Sequence, residues 1–418
     1  MREYIKHPKL GKIPSSWKGS KLSEIVDLEH GFQFRKEDFT DSGIPVIKIN
    51  NIIGNDLNLD NLSFIEPSRL EEFSRFLIKK NDILMSLTGN IGRVIEVGLI
   101  QRDFVQNYRV GKFVPVNRNE LYNRYIKYLL SSPLVLSQFF KFSNQSAQAN
   151  FGKQDMDKVW VAIPTSLPEQ QKIAEILSTV DAKIEIIDQQ ISETQELKKG
   201  LMQQLLTKGI GHTEFKDSVL GKIPKSWEVV KISKVAHINN SSLPNTTDEK
   251  YEFYYIDLSS VKSGKIETPL EKIKYSDSPS RARRILKRGD VIMATVRPNL
   301  LGFAFAGFDT NNYVCSTGFA LLSHKENSNG QFIYQNLYSE SVKYQINKLI
   351  VGSNYPAINS SDVKNIRIPF PSLNEQNQIA EILTSVDDKL EVLSEKKTTY
   401  KELKQGLMQQ LLTGRVRV

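Results

Sequence analysis

The chain has 418 residues, of which 39% are hydrophobic and 25% charged, and this composition is typical of a globular protein with two or more domains. Its formal net charge of +9 favours polyanionic partners, nucleic acid first and an anionic membrane second. One cysteine leaves no internal disulfide and no cysteine metal cluster, and no run of about 18 apolar residues predicts a membrane span. The first residues lack the apolar core of a signal peptide, so we expect a cytoplasmic protein.

Three motifs occur twice along the chain, which indicates an internal repeat. The pairs are LGKIPSSW from Leu10 with LGKIPKSW from Leu220, LPEQQKIAEILSTVDAKIE from Leu167 with LNEQNQIAEILTSVDDKLE from Leu373, and LKKGLMQQLLT from Leu197 with LKQGLMQQLLT from Leu403. The last two pairs share the same offset, so that block is repeated without insertion or deletion. The segments between the motifs, residues 19–165 and 228–371, resemble each other only faintly. One constant scaffold with two divergent inserts suggests two readers of two different targets.

Each insert alternates short strand-like and helix-like segments in chain order. The first has predicted strands at 45–49 and 82–87, a turn at 89–92, and helices at 120–130 and 134–142; the second has predicted strands at 254–258, 290–296 and 313–322, and helices at 331–337 and 339–349. Strands and helices are interleaved in both. The pattern predicts an α/β domain with a mixed sheet for each insert.

The repeated block that begins at Leu167 and Leu373 has the apolar spacing of a long helix. Steps of four and three residues select the following positions in the two copies: Ile173, Leu177, Val180, Ile184, Ile187, Ile191, Thr194, Lys198, Leu201 and Leu205, then Ile379, Leu383, Val386, Leu390, Leu393, Lys397, Tyr400, Lys404, Leu407 and Leu411. This is a heptad stripe, mostly apolar, that requires a partner. About 38 residues make a helix of roughly 57 Å. We predict that the two copies pair as an antiparallel coiled coil with pseudo-two-fold symmetry.

The sequence contains no recognisable catalytic motif. There is no phosphate-binding glycine loop, and Asn354-Tyr355-Pro356-Ala357 scrambles the order of an adenine-methyltransferase motif. The five histidines lie far apart without metal-ligand spacing. Cys315 has no histidine near it and is expected to be a small apolar residue in a strand.

The inserts instead carry polar, planar and cationic side chains in loop-like segments. Arginine pairs with guanine, and asparagine or glutamine with adenine, in the major groove, while other cations bind phosphates. The alternative for each of these side chains is that a polar loop or an arginine cluster is only a solvated surface. The candidates for DNA contact are Arg35, Lys36, Asn90, Arg93, Gln106, Asn107, Arg109, Asn144, Gln148 and Asn150 in the first insert, and Arg281, Arg283, Arg284, Arg297, Asn299, Asn312, Ser353, Asn354 and Tyr355 in the second.

The duplicated motifs resemble those of the specificity subunits of type I restriction–modification systems, over essentially the whole chain. One departure is Asn374, which replaces the proline found at Pro168 in the first copy of the helix start. The resemblance implies target recognition domains at 1–165 and 210–371, each reading one half of a split DNA site, and spacer helices at 166–209 and 372–418. It also implies a non-catalytic chain without its own cofactor.

The resemblance further implies which partners this chain would have. Two modification subunits dock on the helices, bind S-adenosylmethionine and methylate adenine. A restriction subunit, with nuclease activity and an ATP- and Mg-dependent translocase, is an optional further partner. No membrane is involved.

Two other functions stay open from the residues alone. A stand-alone DNA-binding regulator with two dissimilar heads would bind its site tightly without partners. A specificity subunit would instead expose apolar helix faces that need to be covered. An architectural coiled-coil protein would have heptads over most of its length, whereas here the inserts make up most of the chain.

Overall fold

The computed structural model describes residues 3–54, 56–143, 150–262, 264–267, 269–350 and 356–418. It divides into two compact units, which we describe separately. Unit 1 consists of Met1–Asp188 with Glu395–Val418, and unit 2 consists of Gln189–Ser394. Each unit therefore contains one divergent insert, one half of the first long helix and one half of the second.

Unit 1 combines short strands with a few short helices. Its strands are Tyr4–His7, Gly11–Pro14, Trp17–Lys21, Val26–His30, Ile44–Ile47, Ile52–Ile53, Asp56–Leu57, Ser63–Ile65, Ile83–Ser86, Val94–Glu96, Val105–Gln106, Val110–Pro115 and Trp160–Pro164, and its short α-helices are Leu22–Ile25, Asn123–Leu130, Pro133–Ser143 and Lys153–Met156. The central strands are rich in Val and Ile, which suit a buried pleated surface.

Two sheets of unit 1 support its longer loops. Val26–His30, Val110–Pro115, Ile83–Ser86 and Val94–Glu96 form an antiparallel sheet. In the other sheet, Ile44–Ile47 pairs in parallel with one neighbour and antiparallel with the other. The helices after Pro115 bury Tyr125, Tyr128 and Phe139 in the core below the first sheet. The prediction of a mixed sheet is thus confirmed.

Unit 2 repeats this plan with different lengths. Its strands are Phe215–Ser218, Gly221–Pro224, Glu228–Lys231, Ala236–Ile238, Glu252–Ile256, Val261–Lys262, Lys265–Ile266, Lys272–Lys274, Ala282–Ile285, Val291–Ala294, Phe303–Phe305, Tyr313–Ser316, Phe319–His324 and Arg367–Phe370, and its short α-helices are Ile232–Val235, Gly330–Leu337, Glu340–Leu349 and Ser360–Asn365. The strands Glu252–Ile256 and Tyr313–Ser316 are parallel neighbours in a mixed sheet.

The single strand predicted at 313–322 is wrong, because the structure has two strands there. Tyr313–Ser316 belongs to the mixed sheet, and Phe319–His324 belongs to the antiparallel sheet with Val291–Ala294. A tight turn at Thr317–Gly318 moves the chain from one sheet to the other. Apolar residues lie on both sides of this short polar turn, and the sequence pattern alone did not show the change of sheet.

The two long helices are Leu167–Lys208 and Leu373–Leu411, close to the predicted bounds. The second begins normally despite Asn374, because the Ser372 hydroxyl accepts a hydrogen bond from the backbone N–H of Glu375. Most apolar positions of the predicted stripe are buried, among them Ile173 and Leu177 in the first copy, and the others are half-buried.

The lysines that interrupt the stripe meet aspartates of the opposite long helix. In unit 1, Lys404 contacts Asp181 at 2.5 Å and Lys397 contacts Asp188. The partner number falls as the lysine number rises, which shows that the helices run antiparallel within this unit. In unit 2, Lys198 lies 2.5 Å from its aspartate, Asp387. The predicted antiparallel pairing is confirmed within each unit.

A buried glutamate in the first turn of the first long helix anchors the base of unit 1. Glu169 accepts a hydrogen bond from the Trp17 indole N–H at 3.3 Å. Two nitrogens of the Arg417 guanidinium, near the C-terminus, donate to the two carboxylate oxygens of Glu169. The third guanidinium nitrogen donates to the Ser16 hydroxyl at 2.7 Å. The C-terminal tail therefore helps to hold the N-terminal motif.

The base of unit 2 has the same construction with a different side-chain partner for the glutamate. Glu375 accepts from the Trp227 indole N–H at 2.9 Å, from the backbone N–H of Ile210 at 3.0 Å, and lies 2.8 Å from His212 Nε2. Trp17 and Trp227 are both buried. The repeated Trp and Glu of the sequence motifs thus form equivalent joints between the strands that precede each insert and a long helix.

The glutamine that follows each of these glutamates makes a second joint. The Gln170 carbonyl accepts from the backbone N–H of Tyr122 at 2.8 Å, and its amide donates to the Pro164 carbonyl at 2.8 Å. In the other copy Gln376 accepts from the backbone N–H of Asn329 at 3.0 Å. Both glutamines are fully buried, so the Glu-Gln pair fixes the position of each domain on its own helix segment.

Candidate nucleic-acid interface

Four loop segments of unit 1 meet along one edge of its antiparallel sheet. The backbone N–H of Tyr108 donates to the Phe32 carbonyl, and that of Leu87 donates to the Arg109 carbonyl, both at 2.9 Å. Phe151 in turn donates to the Leu87 carbonyl at 2.9 Å. Six exposed sequence candidates lie on these segments or within a few residues of them. They are Arg35, Lys36, Asn90, Arg93, Arg109 and Asn150.

Two arginines on this edge differ in how firmly they are held. The Arg109 guanidinium donates to the Tyr108 hydroxyl at 2.8 Å and lies 5.4 Å from that ring centroid. The Arg35 side chain is 80% exposed, and its guanidinium lies 4.0 Å from the carboxylate of Glu37, which is 70% exposed. Arg109 is therefore oriented before any ligand arrives, whereas Arg35 is free to adapt.

The loop of Arg35 is fixed by its backbone. Its N–H donates to the Asp38 carboxylate at 2.7 Å, and Arg69 donates to the same carboxylate at 2.8 Å. These two hydrogen bonds lower the pKa of Asp38 below its usual value. Asp38 thus remains charged at neutral pH and ties the loop to the body of the unit.

Gln106 and Asn107 are candidates that the structure places inside the domain. The Gln106 amide donates to the carbonyls of Glu29 at 2.9 Å and Val110 at 2.7 Å. The Asn107 side-chain oxygen accepts from the backbone N–H of Arg109 at 3.1 Å. Both are buried and shape the loop, and a base contact by either would require these bonds to break. The signal available in the sequence was the turn-forming Asn two residues before Arg109.

The loops of unit 2 meet in the same way. Thr317 donates to the Arg281 carbonyl at 2.8 Å, and Thr295 donates to the Gly318 carbonyl at 2.9 Å. Arg297 donates through its backbone N–H to the Pro356 carbonyl at 2.7 Å. Three exposed candidates share this edge, namely Arg281, Arg297 and Asn299.

Three further candidates of unit 2 have other surroundings. The Arg283 guanidinium lies 5.0 Å over the Tyr275 ring, and burial lowers the pKa of Arg284. Asn312 precedes the strand whose far end pairs with Ala282, so the structure separates it from the edge described above. Its side-chain oxygen accepts from the Tyr251 hydroxyl at 3.2 Å.

The remaining five candidates lie outside the described residues. They are Asn144, Gln148, Ser353, Asn354 and Tyr355.

Lys48 lies close to the unit 1 edge, although sequence analysis did not select it. The preceding residue, Ile47, accepts a hydrogen bond from the backbone N–H of Asn107 at 3.0 Å. The Lys48 ammonium lies 2.7 Å from the Ser63 hydroxyl and 3.8 Å from the Phe39 ring centroid, and burial lowers its pKa. The sequence predicts Lys48 within the strand 45–49, whereas in the structure it directly follows the strand Ile44–Ile47.

The described residues hold no group of three or more His, Cys, Asp or Glu side chains arranged to bind a metal ion. Cys315 is buried in the strand Tyr313–Ser316, as predicted, and burial raises the pKa of its thiol, which disfavours a nucleophilic thiolate. Over the same part of the chain, no helix has the length and apolar character needed to cross a membrane.

Comparison with known proteins gives a consistent result over the whole chain. A family model described as the type I restriction modification DNA specificity domain matches residues 14–196 and again residues 224–404. The putative type I restriction enzyme MjaX specificity subunit of Methanocaldococcus jannaschii is 26% identical over 429 residues, covering 100% of this chain and 97% of that protein. The MjaVIII specificity subunit of the same organism is 30% identical over 358 residues, 82% of this chain and 80% of that protein.

Solved structures show the same fold. The crystal structure of a type I restriction–modification system S subunit from M. genitalium aligns with a TM-score of 0.62 over 98% of both chains, at 15% identity. A chain from a study of complex assembly in the type I R-M system aligns with a TM-score of 0.53 over 97% of this chain and all of that one, also at 15% identity.

Proposed function

The chain belongs to the type I restriction–modification DNA specificity family, and from that premise we propose that each unit reads one half of a split, asymmetric double-stranded DNA site. Proteins of this family recognise DNA and are not the catalytic subunits. One observation carries the proposal: the joints at Glu169 and Glu375 are nearly identical, whereas the loops at the two exposed edges differ in length and residues. A constant support with two different polar edges suits two different target sequences.

We assign target recognition to residues 1–165 and 210–371, and spacing to residues 166–209 and 372–418. The exposed arginines and asparagines of the two edges are suited to base edges in the major groove, arginine to guanine and asparagine to adenine. Neighbouring lysines such as Lys36 are suited to phosphates. Gln106 and Asn107 support the loops instead.

The long helices have exposed apolar positions that repeat between the two copies. Unit 1 exposes Ile186 and Leu403, and unit 2 exposes Val392 and Leu197, which are the same two positions of the repeat. The four side chains are 47% to 52% exposed. We assign these two faces to two copies of one partner, the modification subunit.

The cofactors of the system would then reside on its other subunits. S-adenosylmethionine would bind the modification subunits, and ATP with Mg would bind a restriction subunit where one is present. We place the complex in the cytoplasm with the host DNA.

Exchange of one insert tests the proposal. Residues 19–165 are replaced by the matching insert of a related protein, and the methylated motif is read from the host genome by methylation-sensitive sequencing. We expect one half of the motif to change and the other half to stay. The reciprocal exchange of residues 228–371 is the matched control and should change the opposite half. An exchange that alters both halves together would contradict independent reading.

The alternative of a stand-alone regulator is tested by binding without partners. The specificity subunit should reach sequence-selective affinity only with modification subunits, and that affinity should fall steeply with salt because phosphate contacts release counterions. Tight selective binding by the isolated chain would favour the regulator.

A further inference from the structure

The two long helices agree closely in sequence near their C-terminal ends and not in their middles. Aligned at the offset of 206 residues, residues 186–195 and 392–401 have no identical pair. Residues 196–207 and 402–413 are identical at every position except one, where Lys199 is matched by Gln405. Both stretches lie within the same two helices, so the helical fold by itself does not account for this contrast.

The buried residues of the identical stretch are explained by packing within each unit. In unit 2, Leu205 belongs to the apolar cluster that contains Trp227. In unit 1, its equivalent, Leu411, belongs to the apolar cluster that contains Trp17. Identity at such positions serves the fold of each unit and indicates no external partner.

Other identical residues of the stretch lie on the outside of the helices. They form a line of leucine, glycine and glutamine at positions i, i+3 and i+7, which share one side of a helix. The leucines are 52% and 47% exposed, and neither glutamine side chain forms a hydrogen bond to another described residue. The two lines are Leu197, Gly200 and Gln204 in unit 2, and Leu403, Gly406 and Gln410 in unit 1.

The glycine of each line is the residue that the chain's own structure explains least. Glycine in a helix interior is unfavourable relative to alanine. The left-handed residues that follow the helices are Gly209 at φ +65° and Gly414 at φ +69°, whereas Gly200 and Gly406 have ordinary helical backbone. A Cβ added to Gly200 or Gly406 would meet no atom within 4 Å. Neither backbone conformation nor crowding within the chain therefore requires glycine at these two positions.

A glycine on the outside of a helix allows another helix to pack at a shorter distance, because the separation of two helices depends on the side chains at their contact. Leu197 and Leu403, one turn before the glycines, belong to the two faces assigned above to modification subunits. The lines of identical residues therefore continue those faces along the helices. Their identity in both units indicates that the same partner surface is bound twice.

We propose that Gly200 and Gly406 are crossing points, at which a helix of the modification subunit packs closely against each long helix. The inference rests on the proposed function, which assigns two modification subunits to the helices. The partner helix would place a small residue at the glycine, an apolar residue at the leucine and a polar residue at the glutamine. The cost of glycine within each helix is offset by this contact in the complex.

Two substitutions at Gly200 in the full-length chain test the proposal. Alanine and leucine both favour helix over glycine, so each should raise the midpoint of thermal unfolding of the chain without modification subunits by about 1–3 °C. In the assembled complex, Gly200→Ala should weaken the binding of one of the two modification subunits about 10-fold, and Gly200→Leu should weaken it further, because an added side chain overpacks the contact. Native mass spectrometry over a dilution series would count the bound subunits.

Substitutions at two other positions complete the test. Gly406→Ala should weaken the binding of the other modification subunit, and the double alanine variant should lose both subunits on dilution. Gln195→Leu is the matched control, because it adds a large apolar side chain at an exposed helical position where the two copies differ. It should leave the binding of both subunits unchanged, and a loss equal to that of Gly200→Leu would overturn the role of the glycine.

Distinct outcomes separate this inference from the proposed function. A lower unfolding midpoint for Gly200→Ala would show that the glycine serves the fold of the chain itself. Unchanged binding of modification subunits to both Gly200 variants would also overturn the crossing point, while half-site reading by the wild-type complex would still stand. A wild-type complex that binds no modification subunit would instead overturn the assignment of partners in the proposed function.

Discussion

The bases of unit 1 and unit 2 place the same tryptophan and glutamate together but use different side-chain partners for the glutamate. Glu169 receives the two-pronged guanidinium of Arg417, whereas Glu375 receives one ring nitrogen of His212 and the backbone N–H of Ile210. In both bases the carboxylate lies in the first turn of a long helix, where negative charge is stabilised. The comparison teaches that the joint requires several donors to a buried carboxylate, and that the chemical identity of one donor can vary.

A second lesson concerns the order of the chain. The partner of Glu169 in unit 1, Arg417, comes from near the C-terminus, while the partner of Glu375 in unit 2, His212, comes from the middle of the sequence. Each follows the end of a long helix, so the same local segment is used twice. We therefore expect damage to the C-terminal tail to affect unit 1 and not unit 2.

The largest effect should come from removing the tryptophan of a base. Trp17→Ala and Trp227→Ala each remove a buried ring, which typically costs about 3–5 kcal/mol of unfolding free energy. Urea denaturation would measure the loss of unfolding free energy. Hydrogen exchange resolved by peptide would show in which unit that loss occurs. Trp17→Phe is the control, because it keeps a buried ring while it removes the hydrogen bond to Glu169 and a smaller part of the side-chain volume. Equal loss of protection in both units from either alanine variant would contradict separate bases.

A smaller loss of unfolding free energy should distinguish the two side-chain partners of the glutamates, Arg417 and His212. Arg417→Ala leaves the buried Glu169 with the indole N–H alone, so we expect a loss of about 2–3 kcal/mol. His212→Ala should cost about 1 kcal/mol, since Glu375 keeps two other donors. Thermal unfolding of the two variants gives the comparison. Arg417→Lys should fall between wild type and Arg417→Ala. A larger loss for His212→Ala would show that the backbone donor is unimportant.

The smallest effect should come from Asp38, in the divergent part of unit 1. Its folded-state pKa is depressed by hydrogen bonds from Arg35 and Arg69, so its carboxylate stabilises the fold above the ordinary carboxyl pKa of about 4. This contribution is lost as pH falls through the depressed folded-state value. Asp38→Asn should therefore lower the unfolding midpoint slightly at neutral pH and approach wild type in acid. A difference that grows as pH falls would refute this assignment.

Local sequence patterns predicted a large part of this protein. The heptad stripe and the doubled motifs predicted two long helices that pair antiparallel, because helix periodicity depends on residues three and four apart. They predicted two mixed domains for the same reason, since strands and helices are distinguished by local spacing. The lysines of the stripe looked like interruptions, and only the facing aspartates explain them.

Only the tertiary structure determines which loop residues are buried, which are exposed and which lie together. The sequence could not distinguish Gln106, which is buried, from Arg109, which is exposed, because both lie in one polar run. It could not show that Asn312 lies apart from Arg281, or that Arg297 has a left-handed backbone. These properties depend on which loops the sheets bring together. Sheet pairing joins residues that are far apart in the chain, so it cannot be predicted from any short segment of the sequence.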